Sequence, residues 1–250
     1  MKVLLTMLMM LATLLAKSPL QELQSNTTHF ALLNADIAHD ARENRLPNLT
    51  ALLALYPKVI TLVVRKDSNI TRFEDIQTNS FQILYDAKEE NSIEHLLKTF
   101  QLKHTGTYHN WHELEALFET KKVDAFITLI GHPNAQLAQF LKETNATLIS
   151  LIGKKFDQLN QDSPYCLKSG IPKGMYHLKK DIKSIATKYL LVTTADENSS
   201  EVGEIVSGII KYRKILKTSD PLLRSLSIKH MLENLAIPQH KAAIKAFNQH

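Results

Sequence analysis

Cysteine is almost absent from this chain of 250 residues: Cys166 stands alone. One cysteine excludes an intrachain disulfide and a thiolate-ligated metal site. Its neighbours Tyr165 and Leu167 provide none of the electropositive surroundings that activate a thiol, so an inert, partly buried group is expected. A strong charge of one sign is also absent. The net charge is +5, and Lys121-Lys122, Lys154-Lys155 and Lys179-Lys180 are scattered pairs rather than a stripe. With no nucleic-acid motif beside them, nucleic acid is not an expected partner. There is no long linker, low-complexity tract or internal repeat. No nucleophile, base and orienting group can be read together, so no enzymatic chemistry is expected. The apolar run Val3 to Ala16, which follows Lys2, is too short to span a membrane. Residues 1–16 instead read as a signal-like segment, which predicts export and, if uncleaved, membrane anchoring.

What is present is ordinary globular material: 44% hydrophobic and 22% charged residues, enough to bury one large core or two smaller ones. Helical and strand patterns alternate, which predicts an α/β fold with a mostly parallel sheet. His29 to Leu33 is a short apolar strand that ends at Asn34-Ala35-Asp36. Leu49 to Leu55 is apolar, and Tyr56-Pro57 is expected to break it. Val59 to Val64 is the clearest strand, dominated by β-branched residues, and reads as buried on both faces. Phe81 to Tyr85 is another, and Ile93, Leu96, Leu97 and Phe100 follow at the spacing of one helix face. Asn110 and Glu113 form a capping-box pair ahead of a helix carrying Trp111, Leu114, Leu117 and Phe118. Val123 to Ile130 is a strand stopped by Gly131-His132-Pro133; a helix around Leu137, Phe140 and Leu141 leads to a strand from Ala146 to Leu151. Tyr189 to Thr193 is strand-like, and Asn198 with Glu201 opens a helix carrying Val202, Ile205, Val206, Ile209 and Ile210 on one face. His104, His109 and His112 suggest a metal, but Asn110 as a cap separates His109 from His112, and a solvated or capping role is expected for them.

The most distinctive stretch is Ser163 to Tyr176, which gathers two prolines, two glycines and two tyrosines and reads as a shaped connection rather than a helix. In order along the chain stand Phe30 to Asp36, Leu55-Tyr56-Pro57, Thr61 to Ser68, Val123 to Phe126, Gly131-His132-Pro133-Asn134, Tyr165 through Ile171-Pro172-Lys173-Gly174-Met175-Tyr176, Thr193-Thr194-Ala195-Asp196, and Ile237-Pro238-Gln239-His240. This series resembles the TAXI family of TRAP transporter solute receptors, from about Leu20 to the C-terminus. Two segments depart from that family. Its opening strand and Gly-rich turn have no counterpart in these residues, so the resemblance implies either a start that lies upstream or an N-terminally shortened fold. Its Gly-rich ligand loop is replaced by Tyr85 to Ser92, which holds no glycine and carries Asp86, Glu89 and Glu90.

The resemblance implies a two-lobed fold of the class II periplasmic-binding-protein type, with lobe one from 20–78 and 166–250 and lobe two from 79–165. It implies a periplasmic monomer without cofactor or metal. The ligand would be a small organic anion, an amino acid or carboxylate, captured by lobe closure and passed to the membrane subunit of a TRAP transporter. The implied cleft residues are Asn34 and Asp36 from lobe one, Thr128, Gly131 and His132 from lobe two, and Tyr165 and Tyr176 from the crossover. The two departures keep a second reading open: a non-transporting relative that retains the scaffold as a protein-interaction or remnant protein.

Overall fold

The computed structural model describes residues 18–76, 81–83 and 111–250, together with Ile93 and Lys98. The signal-like segment, the Tyr85 to Ser92 loop, His104, His109 and the Asn110 cap lie outside the described residues.

Ser18 opens the first helix, α1 (Pro19–Gln24). Its hydroxyl accepts from the Gln21 N–H at 3.3 Å, and the Gln21 side chain accepts from the Ser18 N–H at 2.9 Å. Two orphan donors of the first turn are thereby satisfied, and Pro19 sits where its missing N–H costs nothing. Then follow β1 (Ala31–Asn34), α2 (Ala35–Asn44), β2 (Leu49–Arg65), β3 (Phe81–Ile83), α3 (Trp111–Glu119), β4 (Ala125–Gly131), α4 (Ala135–Glu143), β5 (Ala146–Ile149) and α5 (Lys154–Asp162). The chain ends with β6 (Cys166–Ile171), β7 (Ile182–Thr194), α6 (Ser199–Ser219), α7 (Ile228–Leu232) and α8 (Lys241–Phe247). The expected cap Asn198 accepts from the Ser200 N–H at 2.9 Å and starts α6. No described helix is long and apolar enough to cross a membrane.

One mixed sheet runs in the order β1-β7-β2-β4-β3, with β5 beside β2 and β6 beside β7. The α/β class is as expected, but the mostly parallel sheet is not. Among the described strands only β3 and β4 pair in parallel; every other strand pair is antiparallel. The reason lies in β2 and β7, of 17 and 13 residues. At about 3.3 Å per residue, β2 spans roughly 55 Å, several times a typical strand. The other strands, β3 excepted, pair against one of these two long ones rather than against a helix-linked predecessor.

The break expected at Tyr56-Pro57 does not occur, because β2 continues through Pro57. Pro57 stands opposite Lys188 on β7, whereas the pairing with β4 begins only at Lys58. A missing N–H is tolerated where one side of the strand has no ladder to join. The register of β2 on β7 also shifts between Ala51 and Leu53 and again between Ala54 and Tyr56. The Ser163 to Tyr176 stretch is likewise more regular than expected, since its first half forms β6 on β7. Gly170 permits this: a Cβ there would lie 2.1 Å from the Ile182 carbonyl oxygen.

Burial divides along the long strands. The first half of β2 and the second half of β7 bury Ala51, Ala54, Leu190 and Val192 against β1, α1 and α2, and on the other face Leu52 and Leu53 against α6, α7 and α8. The second half of β2 buries Ile60, Leu62 and Val64 with Phe73, Phe156 and Leu159. Its other face buries Val63 with Leu114, Phe118, Phe126 and Phe140.

Candidate functional site

β1 ends at Asn34, which pairs with Tyr189 of β7; Tyr189 in turn pairs with Tyr56 of β2. β4 ends at Gly131, which pairs with Lys58, two residues farther along β2. The carboxyl ends of β1 and β4 therefore face one another across the middle of the two long strands. The ends of α/β strands are where ligands gather, because loops and helix N-termini converge there. Tyr56 and Tyr189 pack at 5.4 Å between ring centroids, and the Lys58 ammonium sits 4.0 Å above the Tyr189 ring. An ammonium on an aromatic face is held by the ring quadrupole.

The β1 end brings three expected residues together. Asn34 stands at the N-cap position of α2, and Asp36 lies in the first turn, both buried. The Tyr165 ring lies 5.7 Å from that of His39 on α2. Burial raises the Tyr165 hydroxyl above its ordinary pKa, and the nearby charge of Asp36 adds to the rise. Cys166 is pushed up to about 11, chiefly by burial, so the thiol stays protonated at neutral pH, as the sequence suggested.

The β4 end brings together another three. Thr128 is buried and pairs with Thr61 across the sheet. His132, in a cis peptide with Pro133, lies 2.8 Å through Nε2 from the Thr61 hydroxyl and 2.8 Å through Nδ1 from the Tyr176 hydroxyl. The Asn134 N–H donates to that same Tyr176 oxygen at 2.6 Å, and the Thr61 hydroxyl donates to the Val59 carbonyl at 3.0 Å. One proton arrangement satisfies all four bonds. Tyr176 donates to Nδ1, and a neutral His132 donates from Nε2 to Thr61. Burial agrees, lowering His132 to about 4. The loop that delivers Tyr176 is strained, with Tyr176 at φ 53° and His177 at φ 60°, after Gly174 at φ 91°. Left-handed backbone costs roughly 1–2 kcal/mol at a residue with a Cβ, and here it aims the hydroxyl at the turn.

Gly131 lies between the two groups. A Cβ there would stand 2.8 Å from Leu222 and 2.9 Å from Tyr56. The seven expected residues thus occur as two trios on either side of this close contact. Tyr165 packs on the aliphatic core of the β1 end, and Tyr176 on the aromatic core of the β4 end. The sequence reading missed Tyr56, Lys58, Thr61 and Tyr189. Its one signal was the Tyr-Pro-Lys between two apolar runs, polar-tipped residues where a buried strand is otherwise unbroken. Lys188 was missed as well. It is buried, its ammonium reaches the His230 carbonyl at 3.4 Å, and burial lowers its pKa. Among the described residues, no group of three or more His, Cys, Asp or Glu could hold a metal ion, and His112 is exposed on α3.

The model of the NMT1-like family matches residues 16–249. The chain belongs to the NMT1-like family. Solved structures similar to this NMT1-like chain include the periplasmic aliphatic sulphonate-binding protein SsuA from Escherichia coli. The two share 14% identity over 92% of this chain and 68% of that one, with a TM-score of 0.49. The cysteine-binding protein from Campylobacter jejuni is similar at 16% identity, over 85% of this chain and 73% of that one, with a TM-score of 0.46. A histidine kinase sensor domain with similarity to periplasmic binding proteins is similar at 12% identity, over 82% and 72%, with a TM-score of 0.49.

Proposed function

We propose that this NMT1-like protein is an extracytoplasmic solute receptor. It captures a small organic anion, an amino acid or carboxylate, and passes it to the membrane subunit of a TRAP-type transporter of the TAXI kind. The observation behind this reading is the meeting of the β1 and β4 carboxyl ends across β2 and β7, with Lys58 at the junction. Residues 20–78 with 166–250 would supply most of one lobe and 79–165 most of the other, with the second half of β2 and the first half of β7 crossing into the latter. The two long strands would be the straps between them, and the register shifts in β2 near Tyr56 would be where they bend. Asn34, Asp36 and Tyr165 would meet the ligand from one side. Thr128, Gly131, His132 and Tyr176 would shape the other, and Lys58 would supply the positive charge.

The test is thermal unfolding and calorimetry of residues 17–250 against amino acids, dicarboxylates and alkanesulfonates. A compound that binds only the folded state stabilises it by RT ln(1 + [L]/Kd) and so raises the transition. One anion should shift it, and Lys58→Ala should weaken that binding by about tenfold or more while leaving the unliganded transition in place. Binding of neutral solutes alone, or full binding by Lys58→Ala, would overturn the reading.

A non-transporting relative is the second reading, and one observation favours it. Thr61, His132 and Tyr176 spend their hydrogen bonds on one another and on the backbone, and Tyr56 and Leu222 crowd Gly131. A cooperative transition that no compound moves would support it.

A further inference from the structure

A groove of about 1030 Å³ lies between α4, β5 and the segment leading into β7. This is the upper end of the size range of small-molecule sites, about 300–1,000 Å³, which combine apolar walls with a few converging polar groups. The apolar side chains that reach its open space are Ala138 and Leu141 of α4 and Leu178, exposed or half-buried. Ala146 and Leu148 of β5 lie beneath them, 3% and 4% exposed.

Lysines converge on this groove from three places in the chain. Lys66 stands just past the end of β2, Lys142 on α4, and Lys179 and Lys180 ahead of β7. All four are exposed, and none has a carboxylate of a described residue within ion-pair distance. The neighbouring acids are engaged elsewhere. Glu143, the one carboxylate among the described lining residues, accepts from the Gln139 side chain at 3.2 Å, and Asp181 accepts from the Lys173 N–H at 2.7 Å. Charges of one sign around a concave, partly apolar surface concentrate their field inside it, so an anion there is attracted by all four. Lysine stems lie along apolar surface while the ammonium stays in water, which puts hydrocarbon below and positive charge above.

Two features choose among anions. A small hydrophilic anion would leave the apolar side chains in water. An extended peptide would need backbone partners, and the β5 residues that would offer them are buried. A molecule with hydrocarbon at one end and negative charge at the other uses both the walls and the rim. We propose that the groove is a second binding site, for a free amphiphilic carboxylate of the fatty-acid type. Tyr176 lines the groove as well, but its hydroxyl is taken by His132 and Asn134. Lys58 does not line it, so this site does not depend on the solute reading.

The probe is decanoate, kept below its micellar concentration and titrated into the full chain by calorimetry. Saturable binding is expected. It should weaken by about tenfold or more in the K142E/K179E/K180E variant, whose exposed positions leave the thermal transition unchanged. Decanol and acetate each lack one half of the ligand and should bind at least about tenfold more weakly. The imidazole resonances of His177, which lines the groove, should move during the titration. Lys58→Ala should bind decanoate as the unaltered chain does, so failure here and failure of the solute reading are separable. No saturable binding, full binding by the triple variant, equal binding of decanol or unmoved His177 resonances would overturn the proposal. So would loss of decanoate binding in Lys58→Ala, which would place the probe at the junction. Binding of phosphatidylglycerol vesicles without binding of decanoate would overturn it too, assigning the lysines to a membrane surface.

Discussion

The two ends of the sheet share β2 and β7 but are filled by different means. At the β4 end one core is aromatic: Phe118, Phe126 and Phe140 meet edge to face with centroids 5.2–5.5 Å apart, and Trp111 lies 6.0 Å from Phe126. At the β1 end the core against α1 and α2 is built from Ala31, Ala35, Ala38, Ala41, Ala51 and Ala54 with a few leucines. Rings fill space between elements that stand apart, whereas alanines let a helix lie close on a sheet. The polar groups differ in the same way. Those of the β4 end form one chain of hydrogen bonds through His132, and those of the β1 end are gathered at the start of α2. The comparison teaches that one end is sensitive to lost volume and to protonation, and the other to added volume.

Removing the central ring should have the largest effect. Phe126→Ala should destabilise by about 3–5 kcal/mol in urea unfolding, with a change in Trp111 fluorescence because that ring packs on Phe126. Acid should come next. The unfolded imidazole of His132 takes its proton near pH 6.5 and the folded one only near 4. The stability contributed by the neutral ring is therefore fully present above pH 6.5 and is lost as pH falls toward 4. The loss amounts to roughly 3 kcal/mol, and the slope in this window should flatten in His132→Asn. The β1 end should respond to overfilling: Ala38→Leu, at a fully buried site, should cost about 1–3 kcal/mol by the same unfolding assay. Equal costs for Ala38→Leu and a comparable enlargement at the β4 end would erase the distinction. The smallest effect is expected from Tyr176→Phe. It leaves the Asn134 N–H and His132 Nδ1 without their hydroxyl, a loss of about 1–2 kcal/mol, and it should raise the imidazole proton affinity measured by NMR titration.

Much of the local structure was legible because it depends on near neighbours. Asn198 capped its helix and Val202, Val206 and Ile210 faced inward, since a 3.6-residue repeat is a property of the segment itself. Val123 to Ile130 was read as a strand, and β4 occupies Ala125–Gly131. Legibility stopped where pairing partners decide. α5 was not foreseen: its polar sequence hides the two inward residues Phe156 and Leu159. The proposed site was legible in part. Asn34, Asp36, Gly131 and His132 lie at strand ends marked by polar turns, but Lys58 and Tyr189 lie inside strands and show their meaning only in register.

The sequence by itself determined the α/β class, the Asn198 cap, the apolar faces and the isolation of Cys166, because each follows from composition or from contacts within a few residues. Only the tertiary structure decided that β2 runs unbroken through Pro57, that the sheet is mainly antiparallel, and that Thr61, His132 and Tyr176 share one hydrogen-bonded chain. Those facts join residues as far apart as 161 positions, from Ala31 to Val192, and no local period or propensity encodes which distant strand a given strand will meet.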